Sequence, residues 1–366
     1  MLPLFTLGVL AATWPGMPGV EPETKWAVVS ASVVLLFFVR VRWTVVHTGI
    51  CILFAWCVLS TAWSPAPYSS IDGLLKMGCA FALFCVGHET RRLHAFYVAA
   101  AVGILFSIGL SVAQLTGFDG VQMPGLFNRP DGTFGNPNFF AETAALVIVA
   151  TACENMWALT AVLAPALLLA QERGALVAVA VAAVLLSGRT LLLVGALVVI
   201  MLVLPEHRDF VDSASMAQRL AIWSATFTHL TFVGHGIGTF AGIEQTALPR
   251  ALVEHAHNDI LEAAFEIGIP GALLALALAV MVAVRAAFTE RLVLVALAVE
   301  GVFGFPLHEP ATVFMGALVA GHAARGWRVV RVREPLRAAS FRAWLVDRTF
   351  CHQGRANPVR ATPVST

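Results

Sequence analysis

Apolar runs of about 17–25 residues, each long enough to cross a bilayer, recur from one end of this 366-residue chain to the other. With 58% hydrophobic and only 12% charged residues, against roughly 25% charge in soluble domains, the chain reads as an integral membrane protein. The sequence predicts an all-α polytopic fold of about twelve transmembrane helices, at roughly 1–14, 25–41, 44–63, 69–87, 94–117, 137–154, 156–171, 174–187, 190–205, 258–288, 291–307 and 311–327. The first run, Leu2 to Thr13, lacks the basic start and the small-x-small cleavage site of a secretory signal, and reads as a retained span. Five cysteines fall in apolar segments and Cys351 in the tail, so neither a disulfide framework nor a cysteine metal site is expected.

An even number of spans puts both termini on one side, and the distribution of basic residues says which. With the N-terminus inside, the inner loops hold Arg40, Arg42, Arg91, Arg92, Arg189, Arg285 and Arg291, and the end of the last span with the tail adds nine further arginines, from Arg325 to Arg360. The outer side keeps only Lys25, Arg129, Arg173, Arg208, Arg219 and Arg250. The segments then divide into N-terminal spans over 1–117, a region 118–327 containing one large outer loop at 206–256, and a basic tail over 328–366 attracted to anionic lipid head groups. No basic patch is interleaved with aromatics outside the spans, so nucleic acid is not an expected partner.

The unusual sequence lies on the outer side. Residues 118–136 form a turn-rich loop that ends Asn128-Arg129-Pro130-Asp131-Gly132-Thr133-Phe134-Gly135-Asn136-Pro137-Asn138. Arg129 reads either as a solvated charge or as a ligand-binding one. Gln171-Glu172-Arg173-Gly174-Ala175 is a sharp turn between spans, where Arg173 either snorkels to the interface beside Glu172 or faces a polar cavity. In the large loop, Gln218 to Trp223 has the pattern of an amphipathic helix, and Gly234-His235-Gly236-Ile237-Gly238-Thr239-Phe240 follows. That glycine run resembles phosphate-cradling loops but matches neither nucleotide fingerprint. The loop ends in His255-Ala256-His257-Asn258-Asp259-Ile260-Leu261-Glu262, leading into Gly268-Ile269-Pro270-Gly271, where Gly268 and Pro270 should break the helix. His257 falls within the apolar arc of Ile260, Leu261 and Ala264, so a packed helix-start histidine and a functional one are both open. The turn Phe305 to Thr312 carries His308 and Glu309, which read as a local ion pair or as site-lining groups.

Three features together resemble the bacterial O-antigen ligase and polymerase superfamily: Arg219-x-x-x-Trp223, the glycine run to Phe240, and a full His-Asn-x9-Gly-xx-Gly match from His257 to Gly271. The Gly132–Asn138 run, the Arg173-Gly174 turn and the Pro306–Ala311 turn are also similar to stretches in that family, although the family typically has Ser where this chain has Glu172. The resemblance covers roughly 118–325 and implies a GT-C-like membrane glycosyltransferase with its site on the periplasmic face of the bacterial inner membrane. It implies inverting, metal-independent transfer of a glycan from an undecaprenyl-diphosphate carrier to a hydroxyl on lipid A-core or on a growing glycan, without a cofactor. Arginine forks suit diphosphate and the charge that develops on it as it leaves, and a histidine near neutrality suits a hydroxyl proton.

On that footing the expected catalytic residues are His257, Arg219 and Arg173, with His255, Asn258, Glu262, Arg129 and Arg250 binding substrate. Glu172 is positioned to neutralise Arg173, and His255 is expected to be held more loosely than His257. His255-x-His257 offers two imidazoles, but no matching outer cysteine or His-x-x-x-His accompanies them, so no metal is expected. Within the family, ligase is favoured over polymerase or protein O-oligosaccharyltransferase. A secondary transporter would also explain twelve spans and intramembrane charge, but it predicts an internal repeat with interrupted helices in matching places, and the sequence carries neither.

Overall fold

The computed structural model describes residues 1–12, 21–117, 129–186, 213–241 and 254–327. The expected span at 190–205, the site residue Arg250 and the basic tail lie outside the described residues. The described residues all fall in one compact unit. Every regular element among the described residues is helical. Four helical segments are long and apolar enough to cross a membrane: Val45–Trp63, Pro67–Glu89, His94–Thr116 and Gly268–Arg285. Shorter apolar helices cover Leu2–Ala11, Pro137–Cys153, Trp157–Ala170 and Arg173–Leu186.

Numbered in order among the described residues, the helices are α1 (Leu2–Ala11), α2 (Glu21–Ser32), α3 (Val45–Ser60), α4 (Pro67–Glu89), α5 (His94–Thr116), α6 (Pro137–Cys153), α7 (Trp157–Leu163), α8 (Pro165–Ala170), α9 (Arg173–Leu186), α10 (Ser213–Thr228), α11 (Asp259–Glu266), α12 (Gly268–Arg285), α13 (Phe288–Phe303) and α14 (Pro310–Ala323). Three expected spans differ in detail. The run at 25–41 is α2 followed by a 3-10 segment, Val33–Phe38. The run at 156–171 is two short helices, α7 and α8, with Pro165 opening the second. The run at 258–288 divides at Ile267, so α11 is a separate eight-residue helix and the candidate span begins only at Gly268.

Helix α6 is the centre of the core. From Phe140 to Ala152 every residue is buried, among side chains from α1, α4, α5, α8, α9, α13 and α14. Its start is fixed locally: Asn136 accepts the Asn138 N–H at 2.9 Å as N-cap and Pro137 fills the first turn, where a missing N–H costs nothing. The Gly132–Asn138 run also has a packing role. Thr133 Oγ1 donates to Leu10 O at 2.6 Å, and Phe134 stacks on Phe140 with ring centroids 5.7 Å apart. Lys25, expected in an outer loop, is instead fully buried. Its Nζ donates to Val9 O at 2.8 Å and to Leu10 O and Ala12 O at 3.1 Å, and lies 4.3 Å from the Phe134 ring centre. A lysine there meets the unpaired carbonyls at the negative end of α1.

Helices α4 and α14 touch backbone to backbone. A Cβ on Gly87 would strike Leu318 O, and one on Gly321 would strike Phe84 O. Small residues at such crossings are how membrane helices approach closely. Gly321→Ala should therefore destabilise the fold by about 1–3 kcal/mol, the usual cost of overpacking. Gly109→Ala is the matched control, since nothing lies within 4 Å of the added methyl. A thermal-unfolding comparison of the two purified variants checks this; equal midpoints would contradict the close crossing.

Candidate active site

The site forms where the chain leaves the large loop and enters α11. Asn258 is the N-cap: its Oδ1 accepts the Leu261 N–H at 2.9 Å, while its Nδ2 donates to Val302 O at 3.2 Å near the end of α13. The residue before it, His257, holds φ +52. A left-handed backbone is uncommon for a non-glycine residue, and it marks a position that its surroundings over-determine. Burial holds the His257 imidazole down to about 4, helped by the Arg219 charge, so the ring is neutral at physiological pH. It meets Phe305 edge-on, with centroids 5.0 Å apart.

His255 lies on a different set of partners. Its Nδ1 is 2.9 Å from Glu262 Oε1, its ring stacks on Phe305 at 4.4 Å, and the His308 ring is 4.5 Å away. Since a carboxylate only accepts, Nδ1 is the donor in this contact. Glu262 Oε2 accepts the Ala256 N–H at 2.7 Å, and His308 Nε2 approaches Oε1 at 3.2 Å. Burial alone would raise the Glu262 carboxyl, but His308, the His255 bond and the Ala256 N–H more than offset it and hold it below its usual range. Glu262 therefore grips the 255–256 segment and the α13–α14 turn together. His255 is firmly held, contrary to expectation. Asp259, on the first turn of α11, accepts the Leu307 N–H at 3.2 Å; burial, with Glu262 close by, pushes its carboxyl well up.

His308 does not pair with Glu309 as a local ion pair. Glu309 turns the other way and accepts the Thr312 N–H at 2.6 Å as N-cap of α14. Glu262 and His308 stand 46 residues apart, and no local pattern joins them. Phe305, which touches both His255 and His257, was equally silent in the sequence.

The motifs of the large loop acquire physical roles. Arg219 and Trp223 share one face of α10, four residues apart. Arg219 Nη1 donates to Phe303 O at 2.5 Å, and Trp223 Nε1 donates to Ala256 O at 2.8 Å. One helix face thus ties the end of α13 to the segment between the two histidines. The glycine run closes the other end of α11. Gly234, Gly236 and Gly238 all have positive φ. His235 N–H donates to Phe265 O at 3.1 Å, Gly236 N–H to Glu266 O at 2.7 Å, and Phe240 N–H to Glu266 Oε1 at 3.1 Å. The loop cradles the chain's own carboxylate. Burial still dominates there and pushes Glu266 up to about 8.

Arg129 and Arg173 belong to a neighbouring turn. Arg129 donates to Ala170 O at 2.8 Å and Gln171 O at 3.1 Å, and its Nη2 lies 3.4 Å from Asn138 Oδ1. It fixes the turn from which Arg173 starts α9. Glu172 accepts the Ala175 N–H and so is engaged in capping that helix.

These features define a chain that is helical in its described regular elements, with membrane-length apolar helices and a partly buried histidine cluster on buried carboxyl groups beside an arginine. Residues 143–276 match the family model described as O-antigen ligase (Wzy_C), which supports placing the chain in the O-antigen ligase/polymerase superfamily. The matched stretch contains Arg173, Arg219, His255, His257 and Glu262, and stops short of His308. A search of curated proteins returned no match.

The break between α11 and α12 is the most constrained point. Gly268 has φ +74, and a Cβ there would strike Phe232 O and Gly234 N. Gly268→Ala should cost on the order of 1–2 kcal/mol from the left-handed backbone alone, and should lift the 232–240 loop off α11. Limited proteolysis of the purified protein checks this. Cleavage within 229–241 should accelerate, and an unchanged pattern would show that the loop does not depend on this contact.

Proposed function

We propose that the chain transfers a glycan from an undecaprenyl-diphosphate carrier to an acceptor hydroxyl, and acts as the ligase that attaches surface polysaccharide to lipid A-core. The observation that carries the reading is that one family match spans both Arg219 and His257, which the fold brings to the same cluster. The twelve-span layout, an inner-membrane location and a periplasmic site belong to the same proposal.

In this reading Arg219 and Arg173 hold the diphosphate and stabilise the charge that develops as it leaves. The sugar carbon is attacked from the opposite face by the acceptor oxygen, which gives inversion. His257 takes the hydroxyl proton on its neutral imidazole. Its position is supported by Asn258, which ties the first turn of α11 to the end of α13. His255, oriented by Glu262, lies beside the acceptor sugar. Arg129 contributes by fixing the Arg173 turn. Arg250 is assigned to the donor glycan from its place in the large loop. The transfer chemistry assigned to these side chains needs no metal.

General base assistance is typically worth about 10²–10⁴ in rate, so His257→Ala should lose transfer on that scale per folded molecule in reconstituted membranes. Arg219→Ala removes a charged hydrogen bond worth about 1.5–3 kcal/mol, roughly a 10- to 150-fold loss. Arg219→Lys should recover only part of it, since lysine keeps the charge without the fork. Normal specific activity in the His257 variant would remove it from the mechanism. In cells lacking the protein, lipid-linked polymer accumulating without transfer identifies a ligase. Single repeat units on lipid A-core would identify a polymerase instead.

A further inference from the structure

We propose that His255, Glu262 and His308 bind a divalent transition-metal ion of the zinc class, with Asp259 beside it, at the junction of α11 and the turn before α14. His255 Nδ1, a Glu262 carboxylate oxygen and His308 Nε2 all lie within 4.8 Å of one another. Two of the three separations are 2.9 and 3.2 Å. A tetrahedral ion with bonds of about 2.0–2.2 Å places neighbouring ligand atoms about 3.3 Å apart. The ion would be admitted by shifts of roughly a few tenths of an ångström at the Glu262 contacts, together with closure of the two imidazole nitrogens, now within 4.8 Å, to the same spacing.

Hydrogen bonding alone leaves this cluster unsatisfied. Asp259 Oδ1 is buried without a hydrogen-bond partner, 3.8 Å from His308 Nε2. The side chains of Glu262 and Asp259 are only 2% and 6% exposed. Two buried carboxyl groups therefore converge on one imidazole nitrogen, which lies within ion-pair distance of both and is hydrogen-bonded to neither. A cation among the four groups answers both. It bonds Glu262 directly and gives Asp259 a positive neighbour, as a fourth ligand or through a bound water. Two imidazoles and a carboxylate match the two-histidine, one-glutamate zinc set, and differ from the oxygen cages that calcium and magnesium require. The side chains of His255 and His308 are 26% and 32% exposed, which leaves a way in. On binding, each imidazole moves its hydrogen to its other nitrogen, so no proton is lost overall. The pair weighed from spacing alone, His255 and His257, is not the pair that meets.

The full-length protein, purified in detergent and stripped with a chelator, should take up one Zn²⁺ per chain in equilibrium dialysis, and Zn²⁺ should raise its thermal midpoint. Glu262→Gln and His308→Ala should each weaken binding at least about 10-fold, since even groups that only orient metal ligands are worth that much. His229→Ala, outside the cluster, should bind as the unaltered chain does. Co²⁺ in the unaltered chain gives a check that needs no variant: strong four-coordinate visible absorption supports the site. A weak six-coordinate spectrum, no uptake, or equal affinity in the Glu262 and His308 variants overturns it. The readout is metal binding, not transfer, so its failure leaves the glycosyltransferase reading standing and the reverse also holds.

Discussion

A carboxylate taken out of water has to be repaid in hydrogen bonds, and Glu262 draws its partners from separate parts of the chain. The Ala256 N–H and the His255 ring come from the end of the large loop. The His308 ring, in ion-pair contact and not hydrogen-bonded, comes from the turn between α13 and α14. Removing an acceptor from such a site leaves its donors stranded, a larger penalty than the net worth of the bonds. Because each donor is fixed in position, the histidines inherit their geometry from a helix, although they themselves lie in loops and turns. This is a way of placing loop segments precisely enough for chemistry without giving them regular structure.

The rest of the site is arranged to hold that helix still. Asn258 caps its start, the glycine run closes its end, and the Arg219–Trp223 face of α10 braces it from the side. Eight residues are too few to be a stable helix by themselves. Here the caps and the burial of Leu261 and Phe265 supply what length does not.

What the sequence discloses follows from how far each signal reaches. The all-helical class, the break at Gly268 and the shared face of Arg219 and Trp223 are local, set by apolar runs, one glycine and a four-residue spacing. The helix start at Asn258 is legible for the same reason. His308 and Phe305 reach the site only through tertiary packing, and no spacing rule joins residue 262 to residue 308. Lys25 is the opposite case. A charge between apolar runs looks like a loop residue, yet it is buried because the end of α1 offers carbonyls that helix hydrogen bonds leave open. Glu309 is similar: as a neighbour of His308 it suggests a pair, but an N-cap role outcompetes it. The glycine run looks like an anion cradle, but what its N–H groups hold is a buried carboxyl of the chain itself.

The crossing of α4 and α14 has a consequence for the surrounding lipid. The 232–240 loop rests on the start of α4, where Gly238 abuts Ser69 and Gly236 abuts Ser64 and Ser70, while His308 stands just ahead of α14. Both sides of the cluster are therefore referenced to one helix pair locked at Gly87 and Gly321. Bilayers differ in thickness by several ångströms, and spans answer by tilting. A pair joined backbone to backbone tilts as a single strut, so the distances across the histidine cluster are set by protein and not by the thickness of the membrane around it.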